Sequence, residues 1–362
     1  MHVVSVVGAR PQFIKAAVVS RALAAGGKIR ESLLHSGQHY DRELSGQFFE
    51  ELEIPEPAWN LGIGSGPHGQ QTGRMLAAME AVFLEARPDL VLVYGDTNST
   101  LAGALAAAKL GIPIAHVEAG LRSFNRAMPE EINRVMTDHL SDQLLAPTEV
   151  AMQHLAREGI ALSHCHLVGD VMYDSVLRLG PVAAAQSTIL AREGLSRDGF
   201  VLATIHRAEN TGSMEQLRGI LRGLERAGRA CPVVLPLHPR ARALLEGVEV
   251  KAGVGSGLRL IDPVGYLDML ALEGAARLIV TDSGGVQKEA FFQRVPCLTL
   301  RTETEWTELV AVGWNRLVAP VSAEVVTTAV LAALAAPLPS EPAEPLYGGG
   351  RAGEAIAALL GR

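Results

Sequence analysis

The segment LVLVYGDTNSTLAGALAAAKLGIPIAHVE, residues 90–118, contains two apolar runs that each end in an acid. The first run ends at Asp96 and the second at Glu118, and the residues between them have the composition of a helix that Gly111 terminates. Strand, helix and strand in this order predict parallel strands joined by a right-handed crossover. Because ligands bind beyond the carboxyl ends of such strands, we expect both acids to lie in a site.

The same alternation of apolar runs and helical patterns extends outward along the chain. Further strands of the first half are predicted at 2–9, 31–37 and 143–148. The second half repeats the pattern, with strands predicted at 200–206, 233–238, 258–263, 277–284, 297–300 and 315–319. The sequence therefore predicts an α/β protein of two doubly wound, Rossmann-like units, with their junction between Gly169 and Leu195.

Composition restricts the classes of function. The chain has 362 residues, a net charge of −7 and no basic run, so we expect no nucleic-acid partner. Its apolar stretches are too short to cross a membrane, and its N-terminus has the pattern of a strand, not of a signal peptide. The three cysteines are scattered singly, as is usual in a reducing compartment. We therefore expect a cytoplasmic protein.

The stretch VGARPQFIK, residues 7–15, follows the first predicted strand and opens a helix. Gly8 allows a tight turn, and Arg10 and Lys15 are cations near a helix N-terminus. Free amide groups and the helix dipole favour anions at such a place. The two side chains are either an anion site or ordinary surface cations.

The stretch TDSGGVQKEA, residues 281–290, is the second candidate anion site. Ser283, Gly284 and Gly285 are expected to form a turn into a helix, where backbone amides and a hydroxyl can bind phosphate. Glu289 follows one helical turn later and could accept hydrogen bonds from ribose. The stretch matches neither a Walker A loop nor a dinucleotide fingerprint, so it does not predict ATP or NAD.

Two histidines follow predicted strands of the second half. ATIHRAENTG, residues 203–212, supplies His206 with Arg207, Glu209 and Asn210, and VVLPLHPR supplies His238. Two imidazoles at such positions favour a functional role, although either one alone would more often be structural. The histidine spacing does not match known zinc motifs, so we expect no metal.

Three carboxylates remain, at Asp96, Glu118 and Glu130, the last following Pro129 at a helix start. Carboxylates that converge on one partly buried site repel one another, which raises their pKa values toward neutrality. This arrangement is typical of acid–base catalysis. The alternative is three unrelated surface acids, of which Glu130 would be a helix cap.

Eight segments, in their order along the chain, resemble those of the non-hydrolysing UDP-N-acetylglucosamine 2-epimerases. They are GARPQFIK, SGQHYD, YGDTNST, HVEAGLRS, MPEEINR, HRAEN, TDSGGVQKEA and YGGGRA. The resemblance implies the glycosyltransferase-B-like fold, in which two Rossmann-like domains flank a central cleft. It implies an N-terminal domain at 1–168, a UDP-binding domain at 169–349, and a last helix at 350–362 that returns to the N-terminal domain.

The resemblance also assigns roles. It implies acid–base or catalytic functions for Asp96, Glu118, Glu130 and His206. Contacts to the substrate, its UDP or the leaving diphosphate are implied for Arg10, Lys15, Arg207, Glu209, Asn210, His238, Ser283, Gly284, Gly285 and Glu289. A second, activating UDP-sugar site is implied for Gln38, His39 and Gln70.

The implied reaction interconverts UDP-GlcNAc and UDP-ManNAc by elimination of UDP to a 2-acetamidoglucal and re-addition, with no cofactor. The segment LRTETEWTELVAVGWNRLV, residues 300–318, departs from well-known members. It is similar to the branch that acts on UDP-2,3-diacetamido-2,3-dideoxy-glucuronic acid, which is the alternative substrate. A glycosyltransferase of the same fold and a catalytically silent UDP-sugar sensor are further alternatives. The family further implies a homodimer and a role in making cell-surface polysaccharide.

Overall fold

The structure is a computed structural model that describes residues 1–38, 52, 54–237, 257–343 and 345–362. The chain forms two compact units. Unit 1 comprises Met1–Ser175 with Glu344–Arg362, and unit 2 comprises Val176–Ala343. The division lies inside a helix, a few residues beyond the domain boundary expected at 168/169.

Unit 1 contains a seven-stranded sheet of order β3-β2-β1-β4-β5-β6-β7, and every pair of neighbouring strands is parallel. The strands are β1 His2–Val7, β2 Arg30–His35, β3 Trp59–Asn60, β4 Leu90–Tyr94, β5 Ile114–Val117, β6 Gln143–Ala146 and β7 Cys165–Leu167. The short edge strands β3 and β7 were not among the predicted strands. The strand order reverses between β1 and β4, which is where open α/β sheets bind ligands.

The helices of unit 1 connect these strands. They are α1 Arg10–Gly26, α2 His68–Ala86, α3 Asn98–Lys109, α4 Pro129–Leu140 and α5 Glu149–Arg157, with a 3₁₀ turn at Leu162–His164. Pro11 lies in the first turn of α1, and Thr97 caps α3 by accepting a hydrogen bond from the amide of Thr100. Helix α6, Val171–Gln186, crosses from unit 1 into unit 2.

Unit 2 contains a six-stranded parallel sheet of order β10-β9-β8-β11-β12-β13. Its strands are β8 Val201–Thr204, β9 Val233–Pro236, β10 Leu258–Ile261, β11 Leu278–Thr281, β12 Cys297–Thr299 and β13 Asn315–Leu317. Its helices are α7 Ile189–Arg192, α8 Ala208–Thr211, α9 Met214–Ala227, α10 Tyr266–Ala275, α11 Gly284–Phe292, α12 Thr307–Ala311 and α13 Ala323–Ala335. All six strands predicted for the second half are present.

Both sheets have near-continuous apolar strands because helices cover their faces. All five residues of β4 are buried, as are the last five of β1. One apolar core of unit 2 is formed by residues of β8, β9, α9 and α13, including Val201, Val233, Leu224 and Val326. The predicted class, two parallel α/β sheets of the glycosyltransferase-B type, is confirmed.

The C-terminal segment lies in unit 1. Its helix α14, Ala352–Leu360, packs against α1. The approach is close, because a Cβ added to Gly353 would lie 2.8 Å from Val18 Cγ1. The amide of Gly353 also donates to Asp174, 2.9 Å away. Among the described residues, no helix is long and apolar enough to cross a membrane.

Candidate functional site

The loops that follow β1, β4 and β5 bring together the acids predicted in unit 1. Asp96 lies just beyond β4, and its carboxylate lies 3.1 Å from Nε of Arg134, with 32% of the side chain exposed. Burial raises the pKa of Asp96, and the cations Arg134 and Lys15 oppose that rise. The nearby carboxylates Glu130 and Glu118 raise the pKa further. Both glutamates therefore lie within electrostatic reach of Asp96.

Lys15 and Glu118 form a buried ion pair in this cluster. The Lys15 ammonium donates to Oε2 of Glu118, and less than a tenth of either side chain is exposed. Glu118 has the left-handed φ of +72°, which turns the chain sharply at the end of β5. A Cβ added to Gly95 would lie 3.2 Å from the Lys15 ammonium and 3.3 Å from the Glu118 carboxylate. The lysine predicted to hold an anionic substrate therefore neutralises a predicted catalytic acid here.

The first turn of α4 contains two adjacent glutamates with different surroundings. Glu131 is buried and accepts hydrogen bonds from the amide and hydroxyl of Ser123 and from the amide of Phe124. It therefore holds the loop between β5 and α4. Glu130 is only half-buried and acts electrostatically on Asp96. This placement agrees with Glu130 as the member of the pair that faces the acid cluster.

A buried hydrogen-bond network of His116, Asp138 and Arg122, which the sequence did not reveal, lies next to the acid cluster. His116 is fully buried, with Nδ1 2.7 Å from Oδ1 of Asp138 and Nε2 2.7 Å from the carbonyl oxygen of Gly95. Arg122 donates to the same aspartate over 2.7 Å and forms two hydrogen bonds with Glu158. Burial raises the pKa of Asp138, but His116 and Arg122 outweigh burial and hold it below its usual value. The ring of His116 therefore joins the end of β4 to Asp138 of α4.

Gln12 joins the turn after β1 to the end of β4. Its Oε1 accepts from the amides of Gly8, at 2.8 Å, and Ala9, at 3.0 Å, and its Nε2 donates to the carbonyl oxygen of Tyr94, at 2.7 Å. Two amides that could have bound a phosphate are therefore engaged internally. The side chain of Arg10, which was predicted to bind an anion at this turn, is half-buried.

Gly8 is required by a close approach of side chains. A Cβ at this position would lie 2.2 Å from both the Ser36 and the Ser99 hydroxyl oxygens, which are 2.7 Å from each other. Gln38, one of the residues predicted for an activating site, accepts from the Ser99 hydroxyl at 2.7 Å. Gln38 is therefore tied to the start of α3.

Gln70 is the other described residue among those predicted for an activating site. Gln70 is on the exposed side of α2, while its neighbour Gln71 is buried and accepts from the side-chain amide of Asn98 over 2.8 Å. Asn133 in turn donates to Asn98 and to the carbonyl oxygen of Asp96. Gln71, which the sequence analysis passed over, is thus connected to the acid cluster. His39 lies outside the described residues.

In unit 2, the loop after β8 contains four of the predicted residues. His206 has 47% of its side chain exposed, and its Nδ1 lies 2.9 Å from Oδ1 of the fully buried Asp282. Asn210 is buried and donates to Asp282 and to the carbonyl oxygen of Leu300. Asn210 therefore holds the loop in place. Glu209, which is exposed, and Arg207, which is mostly buried, are further candidate ligand contacts of the loop.

The predicted phosphate turn begins α11, with Ser283 at the N-cap and Gly284 as the first helical residue. The Ser283 amide donates to the hydroxyl of Thr281 at 2.9 Å, whereas the amides of the first helical turn have no acceptor within the helix. A Cβ on Gly284 would lie 2.5 Å from Glu305 Oε1, so the Glu305 side chain of the 301–306 loop approaches this turn closely. The turn can present the amides of Gly284 and Gly285 to an anion.

Glu289, which was predicted to contact ribose, is buried and does not lie at the surface. It accepts a hydrogen bond from the Tyr266 hydroxyl at 2.9 Å. Burial and the neighbouring Glu289 together raise the pKa of the fully buried Glu273 well above its usual value. His238, the other predicted UDP contact, lies outside the described residues.

The divergent 301–306 loop is anchored on α11. Gln287 accepts from the Thr304 hydroxyl at 2.7 Å and from the Asn315 side chain at 2.8 Å. Trp306 is buried, and the Lys288 ammonium lies 4.2 Å from its ring centroid, a cation–π contact. Trp306 is therefore part of the packing of this loop. Within the described ranges, no group of three or more His, Cys, Asp or Glu could hold a metal ion.

The fold and these two sites define a class of protein. Interacting carboxylates at the switch point of one parallel sheet, and an anion-binding turn at that of the other, are the parts of a nucleotide-sugar isomerase of the glycosyltransferase-B-like fold.

Known proteins agree with this class. The model of the UDP-N-acetylglucosamine 2-epimerase family matches residues 21–361. The UDP-2,3-diacetamido-2,3-dideoxy-D-glucuronate 2-epimerase of Pseudomonas aeruginosa is 48% identical over 365 residues, covering 100% of both chains. A UDP-N-acetylglucosamine 2-epimerase of Methanocaldococcus jannaschii is 46% identical over 321 residues, covering 86% of this chain and 87% of the relative.

Solved structures agree as well. The crystal structure of the M. jannaschii UDP-GlcNAc 2-epimerase, in complex with UDP-GlcNAc and UDP, superposes with a TM-score of 0.92 at 43% identity, covering 99% of both chains. The enzyme from Neisseria meningitidis, bound to UDP-GlcNAc, gives a TM-score of 0.84 at 30% identity and the same coverage. The chain belongs to the UDP-N-acetylglucosamine 2-epimerase family, as the eight sequence segments predicted.

Proposed function

We propose that this protein is a non-hydrolysing 2-epimerase that interconverts UDP-GlcNAc and UDP-ManNAc. The observation that carries the proposal is the cluster of Asp96, Glu118 and Glu130 at the switch point of unit 1, where both glutamates act electrostatically on Asp96. Epimerisation at carbon 2 needs one group that removes a proton and another that returns it to the opposite face. Membership of the family supports the same reaction.

The chemistry proceeds by elimination and re-addition. The bond between carbon 1 and the UDP oxygen breaks, both electrons leave with UDP, and positive charge develops beside carbon 2. A carboxylate then removes the carbon-2 proton, which leaves a 2-acetamidoglucal and UDP. In the return step UDP attacks carbon 1 and a proton is delivered to the other face of carbon 2. Atoms and electrons balance without an oxidant, so no redox cofactor is required.

The chain supplies groups suited to each task. Burial raises the pKa of Asp96, which suits this carboxyl group to exchange a proton. Glu118 is paired with Lys15, and Glu130 is the second acid close to Asp96. In unit 2, the turn at Ser283, Gly284 and Gly285 would bind the diphosphate, and His206, Arg207 and Glu209 would contact the ligand near it. Arg10 of unit 1 remains a predicted substrate contact.

The second candidate substrate is UDP-2,3-diacetamido-2,3-dideoxy-glucuronic acid. The favouring observation is the Pseudomonas aeruginosa relative, which acts on this sugar by name and aligns along the full length at 48% identity. The reaction would be the same, because carbons 3 and 5, where the sugars differ, do not take part in it.

A deuterium experiment tests the proposal. The protein is incubated with each UDP-sugar alone in deuterated water and followed by proton NMR. We expect a mixture of two epimers, with solvent deuterium at carbon 2 of both. The better substrate of the two settles the sugar. UDP release that needs an added acceptor, without deuterium at carbon 2, would instead indicate a glycosyltransferase.

Variants assign the proton-transfer groups. Glu118→Gln and Glu130→Gln should each reduce turnover by about 10²-fold or more while UDP affinity stays within about threefold. Glu85→Gln, on the exposed face of α2, is the matched control and should retain full activity. Near-normal turnover in both site variants would remove the acid–base assignment. Asp96→Asn that binds UDP but does not turn over would exclude a silent sensor.

The remaining expectations rest on the family resemblance. A homodimer in the cytoplasm, supplying an activated sugar for cell-surface polysaccharide, fits the proposed reaction. An activating UDP-sugar site at Gln38, His39 and Gln70 also stays a prediction. Light scattering coupled to size exclusion measures the oligomeric state, and rate curves against UDP-sugar concentration detect activation.

A further inference from the structure

Asp282 is a fully buried acid at the switch point of the second sheet. It follows β11 directly, and its amide donates to the carbonyl oxygen of Thr204 at the end of the neighbouring strand β8. It therefore lies opposite the loop that contains His206. Nothing in its spacing along the chain distinguishes it from an ordinary turn residue.

The carboxylate of Asp282 accepts hydrogen bonds from four groups of that loop. Both oxygens lie 3.1 Å from the amide of His206, and Oδ2 lies 3.1 Å from the amide of Arg207 and 3.0 Å from Nδ2 of Asn210. Oδ1 lies 2.9 Å from Nδ1 of the His206 ring. These partners outweigh burial, which alone would raise the pKa of Asp282, and hold the pKa below its usual value.

The ionised state of Asp282 fixes the orientation of the His206 imidazole. An ionised carboxylate only accepts hydrogen bonds, so Nδ1 of His206 must carry a hydrogen. The other ring nitrogen, Nε2, then belongs to the half of the ring that is not held by Asp282. With 47% of its side chain exposed, His206 can offer that nitrogen to a ligand.

We propose that Asp282 is a positioning residue that acts through His206. It holds the ring with Nδ1–H toward its carboxylate, so that Nε2 is turned toward the ligand as the bond to carbon 1 breaks. This inference rests on the proposed function. It adds to that function the group that prepares His206 for the departure of UDP.

A purely structural role makes a different prediction. The same carboxylate also binds the amides of the loop, so losing it could simply loosen residues 205–210. A structural role would lower stability and UDP affinity whether or not His206 is present. A positioning role would lower turnover only while His206 is present.

Asp282→Asn in two backgrounds separates these roles. Asparagine keeps one oxygen for the loop amides and replaces the other with a donor that cannot accept from Nδ1–H. In the otherwise native protein we expect turnover to fall by about 10²-fold or more, with KM and UDP affinity within about threefold. In the His206→Gln background the same substitution should lower turnover by less than about threefold. Full, multiplicative losses in both backgrounds would overturn the proposal.

Asp268→Asn is the matched control. Asp268 is a partly exposed acid of the same unit that accepts hydrogen bonds from Ser187 and Arg192. Its substitution removes a hydrogen-bonded carboxylate without approaching His206, and turnover should stay within about twofold. A loss equal to that of Asp282→Asn would point to a general effect on unit 2.

A measurement independent of activity completes the test. Proton–nitrogen NMR of protein labelled at histidine should show a hydrogen on Nδ1 of His206, assigned by its disappearance in His206→Gln, and Asp282→Asn should shift or abolish that signal. A native His206 without hydrogen on Nδ1 would overturn the proposal even if Asp282→Asn fails to fold. If neither UDP-sugar is epimerised, the proposed function fails while this experiment still decides the state of the ring.

Discussion

Removing either partner of the Lys15–Glu118 pair should destabilise unit 1 strongly, whereas removing both should not. The test is a double-mutant cycle of Lys15→Met, Glu118→Gln and the double variant. Methionine replaces the lysine stem with an apolar chain of similar length, and glutamine is isosteric with glutamate. The cycle isolates the interaction of two side chains that the sequence places 103 residues apart.

The expected magnitude follows from burial. Less than a tenth of each side chain is exposed, so a lone charge left behind cannot recover its hydration. Breaking a buried pair by removing one partner costs about 3–5 kcal/mol of unfolding free energy, whereas replacing both by uncharged groups is often close to neutral. Independent sites would give a double variant that loses about 6–10 kcal/mol. We expect it instead to lose about 1–3 kcal/mol, less than either single variant.

Urea denaturation, followed by circular dichroism and by the fluorescence of Trp59 in unit 1, measures the free energies of unfolding. The slope of free energy against urea concentration should be the same in all four proteins, which shows that each unfolds the same surface. Losses that simply add, with an interaction energy below about 0.5 kcal/mol, would show that the two charges are solvated. That result would refute the buried ion pair and the convergence of α1 with the end of β5.

Three further perturbations test other parts of the structure. Gly8→Ala should lower the free energy of unfolding, measured by thermal denaturation, by about 2 kcal/mol or more, because a methyl group would collide with the Ser36–Ser99 hydroxyl pair. Replacing both serines with alanine should recover part of the loss, and an unchanged melting temperature would contradict the close approach. Arg134→Met should raise the pKa of Asp96 further, because the arginine opposes the effect of burial. Carbon-13 NMR of labelled aspartate measures this pKa, and a lower pKa in the variant would contradict the contact. The pKa of Glu273 is raised in the folded state, so this group lowers stability as pH rises above its unfolded pKa of about 4.3. Glu273→Gln should therefore stabilise the protein at pH 8 and have little effect at pH 4, and equal effects in urea titrations at both pH values would refute the buried acid.

The sequence predicted the fold well where strands are long and fully buried. β1, β4 and β11 are runs of four to six residues. Because both faces of the sheet are covered, most residues of these strands are apolar, and this pattern can be recognised from each segment alone. β3 and β7 have two and three residues and lie at the edges of the sheet, where one neighbour suffices to define them. Such strands exist because β2 and β6 are present beside them, so they leave little signal in their own residues.

The site shows the same division. Asp96, Glu118 and Glu130 could be selected because each follows a strand or starts a helix, and the fold brings such positions together. Their supporting partners could not be selected, since Asp138 and Asp282 are distinguished only by the side chains that surround them. Gln70 and Gln71 differ by one residue, yet successive residues of a helix point about 100° apart, so only the packed helix decides which of them faces Asn98.

The sequence by itself therefore determined two parallel α/β units, the family, and the acids and glycines that end particular strands. These properties depend on neighbours along the chain and on the periods of helix and strand. Tertiary structure alone decided that Lys15 neutralises Glu118, that Gln12 donates to the carbonyl oxygen of Tyr94, and that Asp282 holds His206. Hydrogen bonds and ion pairs act over about 3 Å, and which side chains come that close depends on how separate segments pack.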